Sequence, residues 1–265
     1  FLCFLCFVCS RGSAVLPSCA GCWCVNTSSC PSWHPKTDYS NETIEALSKQ
    51  VPNNPLTLTC NPYITANCTT TPPQPPAPST AVCGLKYDSK FCATYRMETY
   101  TDQMAAEAAG AFVTHIGACG LCSTTQDLAA YIAHPDLTKA GKRCAVEGII
   151  SHELGVKCYE KLGFTQPCAQ IWAFDGAFDA KKCALTCIPH LGQPNNGPPP
   201  ECRLNECLQC DEDKAGPLFK ALAGRTRRRS GLLGMILRPC SSVANITHVR
   251  CPLKSFSLDS KIRSH

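Results

Sequence analysis

The stretch His115-Ile116-Gly117-Ala118-Cys119-Gly120-Leu121-Cys122-Ser123 holds the residues best spaced for chemistry. Its CxxC falls between a strand-like run at 111–116 and a predicted helix start. That is where a thiol oxidoreductase places its active pair, since a helix N-terminus lowers the pKa of the first thiol. In a chain this rich in cysteine, two close Cys can equally be structural, each bonded elsewhere. Metal chemistry is less well supplied. His152-Glu153 begins like a metalloprotease HExxH, but Leu154-Gly155-Val156 supply no second ligand. His115, His134 and His190 are scattered, and Cys202, Cys207 and Cys210 lack a matching second pair, so neither a metal nor any other cofactor is expected.

The CGLC stretch has two partial likenesses among thiol enzymes. Pro167 and the apolar run after it stand loosely where a thioredoxin fold has its proline and next strand, although Cys168 is itself expected to be bridged. Gly117-Ala118-Cys119-Gly120-Leu121-Cys122 also resembles the papain-like cysteine protease motif. That resemblance implies Cys122 as nucleophile, Cys119 as a disulfide partner and His248 as base. The departures are Ile116 at the position of the oxyanion-hole Gln, Ser123 in place of an aromatic residue, and no Asn or Trp after His248.

The run Arg225-Thr226-Arg227-Arg228-Arg229 is the strongest charge cluster. It reads as a solvated loop or helix end, or as an anion site in which Arg225, Arg227, Arg228 and Arg229 take a sulfated or acidic glycan, because guanidinium forks match sulfate and carboxylate. It also fits the R-x-R-R pattern of secretory processing proteases. The neighbouring Asp211-Glu212-Asp213 balances its charge. Nucleic acid is not an expected partner: net charge is only +5 and no stacking aromatics lie near the arginines.

Cysteine sets the compartment. The 265 residues include 23 Cys, far above ordinary usage, and such density persists where thiols are oxidised. The apolar run FLCFLCFV at 1–8, followed by Ser-Arg-Gly-Ser-Ala, reads as the remnant of a signal peptide. Removing it takes Cys3, Cys6 and Cys9 and leaves an even number, as complete pairing requires. Sequons at Asn26, Asn41, Asn67 and Asn245 point to a glycoprotein. No apolar run is long enough to cross a bilayer, so no membrane span is expected in the mature chain.

Proline divides the chain. Following the signal remnant (1–14), a small Cys-rich module spans 19–68, a Pro-rich linker 69–80, a central α+β domain 81–190, a Pro-rich loop 191–200, a Cys-rich C-terminal subdomain 201–251 and a polar tail 252–265. Within these, a helix is expected at 41–50, a strand at 91–100, a short Ala-rich helix between Thr101 and Gly110, and a strand at 111–116. Ser123 and Gln126 form a capping-box pattern opening a helix that His134-Pro135 ends. Ala145, Val146, Ile149 and Ile150 make a helical apolar stripe. Cys183 and Cys187, four apart, share a helix face from which each can bridge to a neighbour. The expected fold class is α+β, helix-rich and disulfide-stapled: a short βαβ-like element followed by a helical array.

Three segments carry a wider likeness: GACGLCSTTQDLAAY (117–131), LGFTQPCAQIW (162–172) and AGRTRRRSGL (223–232). Through them the chain resembles a group of secreted, cysteine-rich proteins of algae and related protists. The resemblance implies secretion and disulfides and transfers no functional residue. The sequence therefore points to a secreted disulfide-rich glycoprotein with a structural or binding role, toward an acidic or sulfated glycan or a protein partner. The alternative is a thiol enzyme using Cys119 and Cys122.

Overall fold

A computed structural model of the chain describes residues 23–24, 39–89, 91–198, 202–239, 242–246 and 248. The signal remnant, Asn26, the Cys19–Cys30 part of the N-terminal module apart from the strand at 23–24, Cys251 and the polar tail lie outside the described residues. The protein is α+β and helix-rich, as its patterning predicts.

Strand β1 (Trp23–Cys24) pairs with β6 (Arg238–Pro239) in a two-stranded ribbon. The main sheet has the order β2-β4-β3-β5. β3 (Val82–Tyr87) runs antiparallel to both β4 (Thr94–Tyr100) and β5 (Phe112–Ile116), and β2 (Val51–Pro52) adds a parallel edge to β4. Helix α2 (Gln103–Ala108) joins β4 to β5, which are therefore parallel with β3 between them. The βαβ-like element exists in this split form. β3 is buried on both faces, so Val82, Cys83, Gly84 and Leu85 read as a continuous buried run. One face packs Val82 against Ala106 of α2 and Ala111. The other packs Cys83, Leu85, Tyr95 and Met97 against Cys119.

The remaining helices form the array: α1 (Asn41–Ser48), α3 (Thr125–Ala133), α4 (Leu137–Ile150), α5 (His152–Glu160), α6 (Gln166–Lys182), α7 (Ala184–Cys187), α8 (Glu206–Lys214) and α9 (Gly216–Ala223). Their core gathers Leu121, Leu128, Tyr131, Phe164, Ile171 and Phe219, and Leu47, Leu56 and Leu58 of the N-terminal part join it. The capping box of α3 lies one residue later than its sequence pattern suggests. Thr124 caps the Asp127 amide and donates its hydroxyl to the Asp127 carboxylate. Ser123 is unavailable for that role because its hydroxyl is committed to His115 and the Gly120 amide.

The α4 stripe is corrected. Val146, Ile149 and Ile150 are exposed, while Cys144 and Gly148 are buried. The inward face is the one that lets α4 and α5 touch backbone to backbone: a Cβ on Gly155 would stand 2.8 Å from Gly148 Cα. The Cys144–Cys158 bridge closes the same contact.

Six disulfides join described residues: Cys60–Cys68, Cys83–Cys119, Cys122–Cys168, Cys144–Cys158, Cys183–Cys210 and Cys187–Cys207. The last two staple α7 to α8, using the shared face of Cys183 and Cys187. Cys92 is also bridged. Cys202 is buried without a disulfide, so the complete pairing expected from an even count does not extend to it. Among the described residues no helix is long and apolar enough to cross a membrane.

Candidate functional site

The CGLC segment sits at the predicted junction of β5 and α3, but its two sulfurs go to different places. Cys119 is bonded to Cys83 on the sheet, and Cys122 to Cys168 on α6. Both are buried. His248 donates from Nε2 to the Ser230 carbonyl at 2.8 Å, and burial lowers its pKa to about 4. The segment instead pairs by its backbone with the end of α9, through Leu121 N–H to Leu222 O and Cys122 N–H to Ala223 O, both 2.9 Å. Gly120 is required by that approach, since a Cβ there would lie 2.4 Å from Leu222 O and 2.5 Å from Gly224 N. Gly120→Ala is expected to cost roughly 1–3 kcal/mol or more through overpacking against backbone that cannot yield. A lowered urea midpoint at constant m-value would register it.

Beside this segment lies a relay that the sequence did not announce. Gly120 N–H donates to Ser123 Oγ at 2.7 Å, Ser123 Oγ meets His115 Nε2 at 2.7 Å, and His115 Nδ1 meets the Ile116 carbonyl at 3.0 Å. A ring nitrogen facing a carbonyl must donate, so Nδ1 carries the proton and Nε2 accepts from Ser123. Burial and the nearby Arg225 guanidinium hold the His115 pKa well below its ordinary value. The serine and histidine have the pairing of a hydrolase dyad, yet both are fully buried and neither lines a described cavity. They hold the turn in place.

The arginine run points inward. Arg225 is fully buried and uses all five donors: Nε to Cys122 O (2.9 Å), Nη1 to Thr114 O (3.0 Å) and Ser230 Oγ (2.9 Å), Nη2 to Thr114 Oγ1 (2.6 Å) and Ser123 O (3.0 Å). Burial lowers its pKa to about 10, with Asp127 opposing, so it stays charged at neutral pH. Arg227 caps the C-terminal end of α3 by donating to the Tyr131 and His134 carbonyls. Arg229 donates to Lys220 O and Gly224 O, and Arg228 to Glu212 at 2.9 Å. These donors therefore meet protein acceptors, and a processing protease that needs Arg225 extended would not reach it in the folded chain.

A cavity of about 220 Å³ opens between α3, α6, α8, α9 and the segment that follows the arginines. Tyr131, Trp172 and Phe219 form its aromatic wall, with the Trp172 and Phe219 ring centroids 4.5 Å apart. Its polar wall is divided. On one side Glu212 binds three cations, Lys220 at 3.2 Å, Arg228 at 2.9 Å and Arg238 at 2.5 Å. On the other stand Asp175 and Asp211, neither in an ion pair among the described residues. Asp175 accepts from the Tyr63 hydroxyl at 2.6 Å. Asp211 is hydrogen-bonded to Asp179 behind it. The acidic DED triplet thus splits: Glu212 balances the basic residues and Asp211 does not. Two buried polar atoms of the aromatic wall, Tyr131 Oη and Trp172 Nε1, face each other. No sequence motif marks this site. The only signal was an aromatic and two acids at Trp172, Asp175 and Asp179, spaced to follow one another along α6.

Burial raises the pKa values of Asp175, Asp179 and Asp211, and for Asp211 the neighbouring carboxylates raise it further. Asp127 is also raised by burial, to about 6. A carboxyl whose folded pKa exceeds its unfolded value gives its full stabilisation below the unfolded pKa, about 4, and loses it as pH rises through the folded value. Buried His115 and His248 act oppositely, contributing above about 6.5 and losing that contribution in acid. Stability is therefore expected to decline from about pH 6 toward pH 9. Asp211→Asn should flatten that decline, read as urea midpoints across the range. An unchanged slope in the variant would remove Asp211 from the account.

Asn41, Asn67 and Asn245 are all exposed, as glycan acceptors must be. His190 meets Gln193 and Glu206, and among the described residues no group of three or more His, Cys, Asp or Glu could hold a metal ion. Residues 152–246 are similar to a family of unknown function (DUF8771). That segment contains Trp172, Asp175, Asp211, Phe219 and the cations around Glu212, while Tyr131 comes from outside it. No curated protein and no solved structure matches the chain.

Proposed function

We propose that the protein is an extracellular, disulfide-stapled glycoprotein that binds a small ligand in the cavity walled by α6, α8 and α9. The observation that carries this is the cavity itself: an aromatic wall of Tyr131, Trp172 and Phe219 beside two buried carboxyls, Asp175 and Asp211, that no cation neutralises among the described residues. Stable proteins pair buried polar groups, and the exceptions concentrate where something else supplies the partner. The disulfides support the same view. Cys122–Cys168 ties α3 to α6, and two bridges tie α7 to α8, so the elements that form the walls are held before any ligand arrives, which reduces the ordering cost of binding. Thiol chemistry at the CGLC segment has no free sulfur to use.

Saturation-transfer NMR with a panel of small amines, carboxylates, amino acids and monosaccharides tests this. At least one class should show transfer from the protein. Met235, 60% exposed at the cavity rim, can be enlarged without disturbing the core. Met235→Trp should reduce that transfer. Absence of transfer from every class, or transfer unaffected by Met235→Trp, would contradict the proposal.

A further inference from the structure

Resting on that cavity as the binding site, we propose that its ligand is a small zwitterion, an α-amino acid with an apolar side chain. The charges of the cavity are segregated rather than mixed. Lys220, Arg228 and Arg238 all converge on the single carboxylate of Glu212, leaving a net positive centre among the described residues. Asp175 and Asp211 form an acidic centre with no cation opposite them among the described residues, and their carboxyls hold their protons to higher pH than usual, so an arriving ammonium would favour their ionised form. Asp211 and Glu212 are consecutive in α8 and both line the cavity, so the two centres border the same space. An ammonium group at Asp175 and Asp211 gains charge-assisted hydrogen bonds, and a carboxylate at Arg228 and Arg238 accepts guanidinium donors.

Trp172 and Phe219 then face the ligand's apolar side chain, and an aromatic face also favours the ammonium. Pockets that enclose drug-sized ligands run to about 300–1,000 Å³, so a cavity of this size suits a molecule of amino-acid dimensions.

Isothermal titration of the oxidised full-length chain with four probes tests the proposal: L-phenylalanine, phenethylamine, 3-phenylpropionate and N-acetylglucosamine. L-Phenylalanine should bind at least tenfold more tightly than phenethylamine or 3-phenylpropionate, each of which satisfies one centre only. Asp211→Asn should weaken L-phenylalanine and phenethylamine tenfold or more and leave 3-phenylpropionate unchanged. Arg238→Met should do the reverse. The wild-type ranking needs no variant, so a variant that misfolds leaves the test intact. Equal or tighter binding of a single-charge probe, or of the neutral saccharide, overturns the zwitterion while the cavity remains a ligand site. Failure of all four overturns it too, and the wider NMR panel then decides whether the cavity binds anything.

Discussion

Arg225→Met is expected to lower the unfolding free energy by about 3–5 kcal/mol, the range for removing one partner from a buried, hydrogen-bonded charge. The side chain is fully buried, and its five donors tie three parts of the chain to its own: Thr114 on β5, Cys122 and Ser123 just before α3, and Ser230 beyond α9. Methionine fills the volume of the stem but leaves the carbonyls of Thr114, Cys122 and Ser123 without this donor. Each buried group so orphaned costs about 1–3 kcal/mol, with some of that recovered by relaxation. Arg225→Lys keeps the charge yet cannot reproduce the fork, so it should recover less than half of the loss. Urea denaturation with disulfides intact is the measurement. A loss below about 1 kcal/mol for methionine would mean that the arginine is not the pin its contacts describe.

Removing the Cys122–Cys168 bridge by double replacement with serine should cost about 4 kcal/mol, from the loop-closure relation for a loop of its length. Its sequence separation is 46 residues. The effect extends beyond global stability. The bridge holds the turn before α3 on α6 and so sets Tyr131 against Trp172 and Asp175 in the cavity lining. The double variant should therefore lose ligand affinity even at temperatures where it stays folded. Breaking Cys144–Cys158, away from the cavity, should cost stability and spare affinity. Equal stability of the Cys122/Cys168 variant and the parent would show that packing alone holds these helices.

Much of the fold follows from local pattern. β4, β5, α2 and α3 arise where alternation, capping residues and proline stops place them, because each signal acts within a few residues of its effect. The α4 stripe shows where local pattern fails. Its apolar residues predict an inward face, but the inward face is chosen by close approach of two glycines and a disulfide, which depend on a partner helix. Arg225 is the sharper case. A run of four arginines in five residues reads as solvated, since isolated burial of a guanidinium is costly. It is buried here because the turn at Thr114, Cys122 and Ser123 offers acceptors at matching positions more than a hundred residues earlier in the chain, and no neighbouring residue signals that supply. The cavity was illegible for the same reason. Asp175 and Asp211 are 36 positions apart and meet only through the packing of α8 on α6.

If the cysteines of the CGLC segment are staples, the cavity and not a thiol is the working site. Peptide mapping of the unreduced, thiol-alkylated protein by mass spectrometry tests it most directly. Cys119 should be found linked to Cys83 and Cys122 to Cys168, with no alkylation at either position of the segment. A Cys119–Cys122 bond, or alkylated Cys122, would contradict it and return the segment to chemistry.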